Sequence, residues 1–155
     1  MFMNKPANKG TILPWHQDRW NNLDKDPLVT VWTALDPATI ENGCVQVIPK
    51  SHHTLINPDH PSGFLTEEMA AEHCKETDRI FLELEPGETL LLHNWLLHSS
   101  DVNRSSQSRR AFSTSYMRAD TLQDGKPIPY PVVFGKNALT HSGIAAGAVV
   151  PLEDR

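Results

Sequence analysis

Residues 28–35 read Leu-Val-Thr-Val-Trp-Thr-Ala-Leu and are followed at once by Asp36-Pro37. Branched and aromatic residues favour extended backbone, and an aspartate followed by proline ends such a segment in a turn. A second segment of this type, residues 44–48, comes directly after Asn42-Gly43. Because Asn-Gly between two such segments is typical of hairpins and tight turns, the sequence predicts two short strands joined by one of these.

Short apolar segments of the same kind continue along the chain. Further strands are predicted at residues 80–84, 89–92, 95–98 and 111–117. Residues 66–74 begin with a capping threonine, carry glutamates in the first turn and lack helix breakers, which predicts one short helix inserted among the strands. Many short strands separated by turns predict an all-β domain, either a β-sandwich or a jelly roll.

The length of 155 residues suits one domain with a single core. We expect the core at residues 1–120 and a C-terminal extension of the same domain at residues 121–155, where residues 132–134 and 144–150 offer apolar side chains to bury. The first three residues, Met-Phe-Met, are all apolar, as if the chain began inside a strand, which suggests a shortened protein or a fragment.

Charge and composition narrow the function classes. A net charge of −5 leaves no excess basic surface for phosphates, so we expect a small-molecule substrate and no nucleic acid. No apolar run approaches the roughly 20 residues that span a bilayer, so no membrane partner is expected. Cys44 and Cys74 lie far apart, without the spacing of a zinc site or a disulfide framework. These features predict a cytoplasmic protein.

Residues 14–18 read Pro-Trp-His-Gln-Asp. On an extended segment His16 and Asp18 lie on the same face, because side chains alternate along a strand. Two histidines and one carboxylate form the set of ligands that suits oxygen activation by non-haem iron(II). His98, after the apolar residues 90–97, is the candidate for the second histidine. Taken singly, each of the three also fits an ordinary structural role in a turn or in the core.

Arg109 and Arg110 enter the predicted strand at residues 111–117. Adjacent residues of a strand point to opposite faces, so one guanidinium should face the core and the other solvent. A buried guanidinium requires an anion, and no acidic residue lies nearby in that strand. A bound dicarboxylate such as 2-oxoglutarate meets this requirement. The alternative is that both arginines lie at the domain surface.

In their order along the chain these residues resemble the phytanoyl-CoA dioxygenase family. The matching segments are Asn4-Lys5-Pro6, Trp15-His16-Gln17-Asp18 and residues 31–36, 42–52, 86–91, 98–103 and 109–113. The resemblance implies a double-stranded β-helix, which is a cupin-like form of jelly roll. It also implies an iron(II) and 2-oxoglutarate dependent dioxygenase that uses O2 to hydroxylate a C–H bond of a small organic substrate. In this reaction 2-oxoglutarate is converted to succinate and CO2.

By the same resemblance, His16, Asp18 and His98 match the iron ligands. Arg109 lies eleven residues after His98 and matches the arginine that binds the distal carboxylate of 2-oxoglutarate. The positions that match the lining of the co-substrate pocket are Trp32, Ser100 and Asn4.

Family members usually carry a further N-terminal region, so a truncated, non-catalytic metal-binding β-sandwich module is the alternative hypothesis. A cupin-like metalloenzyme without 2-oxoglutarate is a rival enzyme. An uncovered sheet edge in a shortened chain would favour a homodimer.

Overall fold

The computed structural model describes residues 1–127, 131–135 and 138, and the predicted apolar segment at residues 144–150 lies outside the described residues. The strands, in chain order, are β1 Phe2–Lys5, β2 Leu13–His16, β3 Val29–Ala34, β4 Val45–Val47, β5 Ile80–Leu82, β6 Thr89–His93, β7 His98–Ser100, β8 Arg109–Tyr116, β9 Leu122–Gln123 and β10 Lys126–Pro127. The helices are α1 Glu67–His73 and two single-turn 3-10 helices, Ser51–His53 and Glu76–Asp78.

Eight of these strands form two four-stranded antiparallel sheets, with the orders β1-β8-β3-β6 and β2-β7-β4-β5. We call them the first and the second sheet. Both sheets contribute to the core cluster, which consists of Trp32, Ala34, Ala38, Cys44, Val45, Val47 and Ala111. Two facing antiparallel sheets around one core are a jelly roll, so the predicted all-β fold with one short helix is confirmed.

Strand β3 shows why the first sheet has a buried and an exposed face. Thr30, Trp32 and Ala34 alternate inward, whereas Val29 is exposed. Ala34 pairs with Ala111 of β8, and both are fully buried. Because alanine side chains are small, larger side chains of the opposite sheet can fill the space between the two sheets at this position.

Asn42-Gly43 forms a tight turn, one of the two structures predicted for it, and not a hairpin, because β3 pairs with β6 and β8 while β4 pairs with β5 and β7. The turn carries the chain from one sheet to the other. The predicted strand at residues 95–98 is a turn up to Leu96, and β7 begins at His98. A backbone hydrogen bond to a distant segment holds this turn, because the Asn94 N–H donates to the carbonyl oxygen of Leu28 (3.1 Å).

The predicted helix is confirmed, and its start is fixed by Thr66. The Thr66 hydroxyl accepts a hydrogen bond from the backbone N–H of Met69 (3.2 Å), which caps the first turn. The helix buries no residue, in keeping with an insertion at the periphery. Among the described helices, none has the length and apolar character needed to cross a membrane.

Candidate metal and carboxylate site

Two histidines and one aspartate converge where β2 meets β7. His16 is the last residue of β2 and pairs directly with His98, the first residue of β7. Asp18 follows two residues after His16, and its Oδ1 lies 3.6 Å from His16 Nε2 and 3.9 Å from His98 Nε2. One ligand atom from each residue lies within 4.8 Å of the others. Strand pairing thus brings together His16 and His98, which are 82 positions apart in the sequence.

Backbone carbonyl groups fix the tautomer of both imidazoles. His16 Nδ1 lies 2.8 Å from the carbonyl oxygen of Pro14, and His98 Nδ1 lies 2.8 Å from that of Leu96. Because a carbonyl oxygen only accepts, each Nδ1 carries the proton and donates it. In the neutral ring each Nε2 then carries the free lone pair that a metal-binding histidine requires, and both Nε2 atoms lie near Asp18.

Burial shifts the pKa values of two residues of this cluster. Burial first, and then the charge of His98, lower the pKa of His16 to about 3, so its imidazole is neutral. Burial also raises the pKa of Asp18, against the opposing effect of His98. A cation between the three side chains would supply the positive charge that the carboxylate lacks. Two neutral nitrogens and one carboxylate oxygen fit iron(II) and leave further coordination positions open.

Arg109 is the second charged component of the site. It is 2% exposed, and its Nη2 donates to the carbonyl oxygen of Gly43 (3.1 Å), while its Nε has no partner in the part of the chain that the structure describes. The Trp32 ring lies over the guanidinium, 5.4 Å from Cζ to the ring centroid. No acidic side chain among the described residues forms an ion pair with Arg109. Burial accordingly lowers its pKa, and the guanidinium is ready to bind an anion.

Arg110 points the other way, as strand alternation predicts. Its side chain is exposed and forms a bidentate pair with Asp36, with both N···O distances at 2.7 Å. The two neighbouring arginines therefore differ: Arg110 pairs with a carboxylate of the chain, and Arg109 pairs with none among the described residues.

One cavity of about 270 Å³ connects these groups. Its lining includes all three residues of the His-Asp-His cluster together with Arg109, Trp32 and Ser100. Asn4 is the exception among the predicted site residues. It lies on the exposed face of β1, opposite to the inward-facing Met3 and Lys5, and it is not among the residues that line this cavity.

Several side chains of the site were not anticipated. Phe64 stacks on the His16 ring with centroids 4.7 Å apart, and Met3 lines the same cavity. Gln17, between His16 and Asp18 in the sequence, is fully buried. The alternation of β1 could have indicated Met3, but the position of Phe64 depends on a loop whose conformation the sequence does not reveal.

Comparisons with known proteins consistently indicate one protein family. The family model of phytanoyl-CoA dioxygenase (PhyH) matches residues 1–111. A probable phytanoyl-CoA dioxygenase of Caenorhabditis elegans is 32% identical over 77% of this chain and 42% of its own length. The peroxisomal phytanoyl-CoA dioxygenase of Homo sapiens is 30% identical over 77% of this chain and 38% of its own. The chain thus spans less than half the length of these two relatives.

Solved structures agree on the fold. EvdO2 from Micromonospora carbonacea var. aurantiaca, solved as a complex with 2-oxoglutarate, is 28% identical with a TM-score of 0.58, over 83% of this chain and 54% of EvdO2. The alpha-ketoglutarate dependent carbocyclase SnoK from nogalamycin biosynthesis has a TM-score of 0.65 over 81% of this chain and 50% of its own. At 22% identity, the likeness to SnoK concerns the fold alone.

Proposed function

This chain belongs to the phytanoyl-CoA dioxygenase family, and we propose that it is an iron(II) and 2-oxoglutarate dependent dioxygenase that hydroxylates a C–H bond of a small organic substrate. The reaction consumes O2 and converts 2-oxoglutarate to succinate and CO2. One observation carries the proposal: a buried guanidinium, which has no carboxylate partner among the described residues, shares a cavity with two imidazoles and a carboxylate. A site that binds a metal ion without 2-oxoglutarate does not require a buried arginine.

In this proposal His16, Asp18 and His98 hold the iron through the two Nε2 atoms and a carboxylate oxygen. Bound iron(II) would supply the electrons that activate oxygen. The carbonyl groups of Pro14 and Leu96 keep each Nδ1 protonated, so neither imidazole can turn its proton toward the metal. Phe64, stacked on His16, limits the access of water to that ligand.

Arg109 binds the distal carboxylate of 2-oxoglutarate in the proposed site. Its position is fixed from two sides, by the carbonyl oxygen of Gly43 and by the Trp32 ring. A guanidinium held in one orientation loses little freedom when it forms two parallel hydrogen bonds to a carboxylate. Ser100, buried on β7 in the same cavity, offers a hydroxyl to the co-substrate.

The test is an anaerobic titration of 2-oxoglutarate into the iron(II)-loaded protein, followed through the weak visible charge-transfer band of the chelate. We expect a band in the wild-type protein and succinate once oxygen is admitted. In Arg109→Gln the affinity for 2-oxoglutarate should fall by about 30-fold or more, because truncating one partner of a buried charge pair costs at least about 2 kcal/mol.

Arg110→Gln is the matched control, since it removes the same charge one residue away on the exposed face. It should titrate like the wild type. Equal affinity in the wild type and Arg109→Gln would contradict the assignment of Arg109. Iron binding without any band would favour a metalloenzyme that does not use 2-oxoglutarate or the non-catalytic metal-binding module, and the absence of iron binding would contradict the proposed metal site.

A further inference from the structure

A second arginine, Arg19, lines the cavity directly after Asp18 in the sequence. It is half-buried, and its Nη1 donates to the backbone carbonyl oxygen of Pro58. Among the described residues no carboxylate pairs with Arg19, and its other guanidinium N–H groups have no acceptor. A half-buried cation at a cavity wall with free donors is a binding group for an anion.

The other basic residues near the N-terminus do not join Arg19. Lys5 is buried, and its ammonium group donates to the carbonyl oxygens of Thr11, Ser100 and Asp101. Lys9 lines a separate surface depression. Of the described lysines and arginines, Arg19 and Arg109 alone line the cavity. Because Arg109 is assigned to 2-oxoglutarate, Arg19 is the one of these side chains that remains for the substrate.

The surroundings of Arg19 are largely apolar. Trp20 is 37% exposed beside it, and Ser62 and Phe64 come from the loop that also carries Pro58. Trp20 also lines a neighbouring cavity of about 710 Å³, together with Tyr116 and Phe134. An apolar or aromatic group attached to an anion therefore has room next to the guanidinium.

We propose that Arg19 binds a carboxylate group of the primary substrate, which makes the substrate a small organic acid with an apolar body. This inference rests on the proposed function. A single guanidinium matches one carboxylate through two parallel hydrogen bonds. An acyl-CoA thioester carries several phosphate charges, and the described lining offers no cluster of cations to receive them.

Matched pairs of acids and amides test the proposal. Protein loaded with nickel(II) and 2-oxoglutarate, which does not turn over, is titrated calorimetrically with hexanoate and hexanamide, phenylacetate and phenylacetamide, and indole-3-acetate and indole-3-acetamide. We expect at least one acid to bind about tenfold more tightly than its amide, as a charge-assisted hydrogen bond predicts. In Arg19→Gln this ratio should fall to about one, whereas Lys9→Gln, which removes a remote cation, should preserve it.

Equal binding of acids and amides by the wild type, including no binding of either, overturns the proposal. A ratio that persists in Arg19→Gln also overturns it, as does tighter binding of hexanoyl-CoA than of hexanoate. The 2-oxoglutarate titration is run on every protein. A missing 2-oxoglutarate site would contradict the proposed function itself, whereas an intact site without acid preference would contradict only the role of Arg19.

Discussion

Gly43 combines a left-handed backbone conformation with a hydrogen bond to the buried Arg109. Its φ is 77°, and a Cβ at this position would lie 2.2 Å from the carbonyl oxygen of Asp101. Its own carbonyl oxygen accepts from Arg109 Nη2 at 3.1 Å. The close approach of two backbone segments therefore requires glycine here, and the same turn positions the guanidinium.

We expect Gly43→Ala to lower the free energy of unfolding by about 2 kcal/mol or more, because backbone strain and a steric clash act together. The shift of the turn should also weaken 2-oxoglutarate binding. Urea denaturation and the iron(II) titration measure the two effects. Gly87→Ala is the control, since Gly87 has a φ of 90° but no atom within 4 Å of the added Cβ. Identical behaviour of the two variants in both measurements would contradict the role of Gly43.

Lys5 is a buried lysine opposite Arg109 on the neighbouring strand. Burial first, and then the charge of Arg109, lower the pKa of Lys5 from 10.5 to about 8, while Asp101 opposes the shift. Below pH 8 both the folded and the unfolded chain hold the proton. Between about pH 8 and 10.5 the unfolded chain alone holds it, so the contribution of Lys5 to stability increases with pH in this window.

The free energy of unfolding of the wild type minus that of Lys5→Met should therefore increase as the pH rises. Urea denaturation at several pH values between 7 and 10 measures this difference. Lys9→Met, which removes an exposed lysine, should run parallel to the wild type. Parallel curves for Lys5→Met as well would show that Lys5 retains an ordinary pKa in the folded protein.

At the scale of elements, Gln17 joins the segments that carry the two histidines. Its Nε2 donates to the carbonyl oxygens of Thr54 (2.8 Å) and Trp95 (2.6 Å), and its Oε1 accepts from Ile56 N–H (2.7 Å). Trp95 belongs to the turn before β7, in which Leu96 holds the imidazole of His98. The end of β2, the loop at residues 54–56 and the start of β7 are thus tied by one amide.

We expect Gln17→Leu to reduce the affinity for cobalt(II) by about 10- to 100-fold, the usual effect of losing a group that orients metal ligands. The visible spectrum of the cobalt protein should also change, which lower stability alone would not cause. Gln46→Leu replaces another buried glutamine, whose Oε1 has no partner among the described residues. That variant should keep the wild-type spectrum, and an unchanged spectrum in Gln17→Leu would contradict the positioning role.

The sequence predicts the positions of strands and of the helix better than the connections between them. The strand at residues 28–35 was predicted correctly because its alternation is local, as was the helix capped by Thr66. The sequence left open whether Asn42-Gly43 forms a hairpin or a turn, and the strand predicted at residues 95–98 was wrong, because distant partners decide both. Gly43 packs against Asp101, and the Asn94 carbonyl oxygen accepts from Asp18 N–H at 2.7 Å.

At the scale of the whole molecule, the site residues were predicted where a sequence pattern marks them. His16 and Asp18 stand close together in the sequence, and alternation separates Arg109 from Arg110. The meeting of His16 and His98 depends on the register of β2 with β7, which no local pattern contains. The assignment of these residues to iron and 2-oxoglutarate stays a prediction, as does the homodimer expected from an open sheet edge.

The site bridges the two sheets, and this arrangement links ligand binding to global stability. His16 and His98 lie on the second sheet, whereas Arg109 lies on β8 of the first. A metal ion with chelated 2-oxoglutarate would contact both sheets and bind the folded chain alone. At a hundredfold excess over the dissociation constant such binding adds about 2.7 kcal/mol to the free energy of unfolding, which corresponds to roughly 5–10 °C in Tm for a chain of this size.

Thermal unfolding followed by circular dichroism should therefore show two increments in Tm, one with nickel(II) and a further one with 2-oxoglutarate. Arg109→Gln should keep the first increment and lose most of the second, because the proposed metal ligands are intact and the proposed anion-binding group is gone. Arg110→Gln should show both, since its side chain pairs with Asp36 outside the cavity. A full second increment in Arg109→Gln would mean that 2-oxoglutarate binds without this guanidinium and that the two sheets are not linked through the ligand.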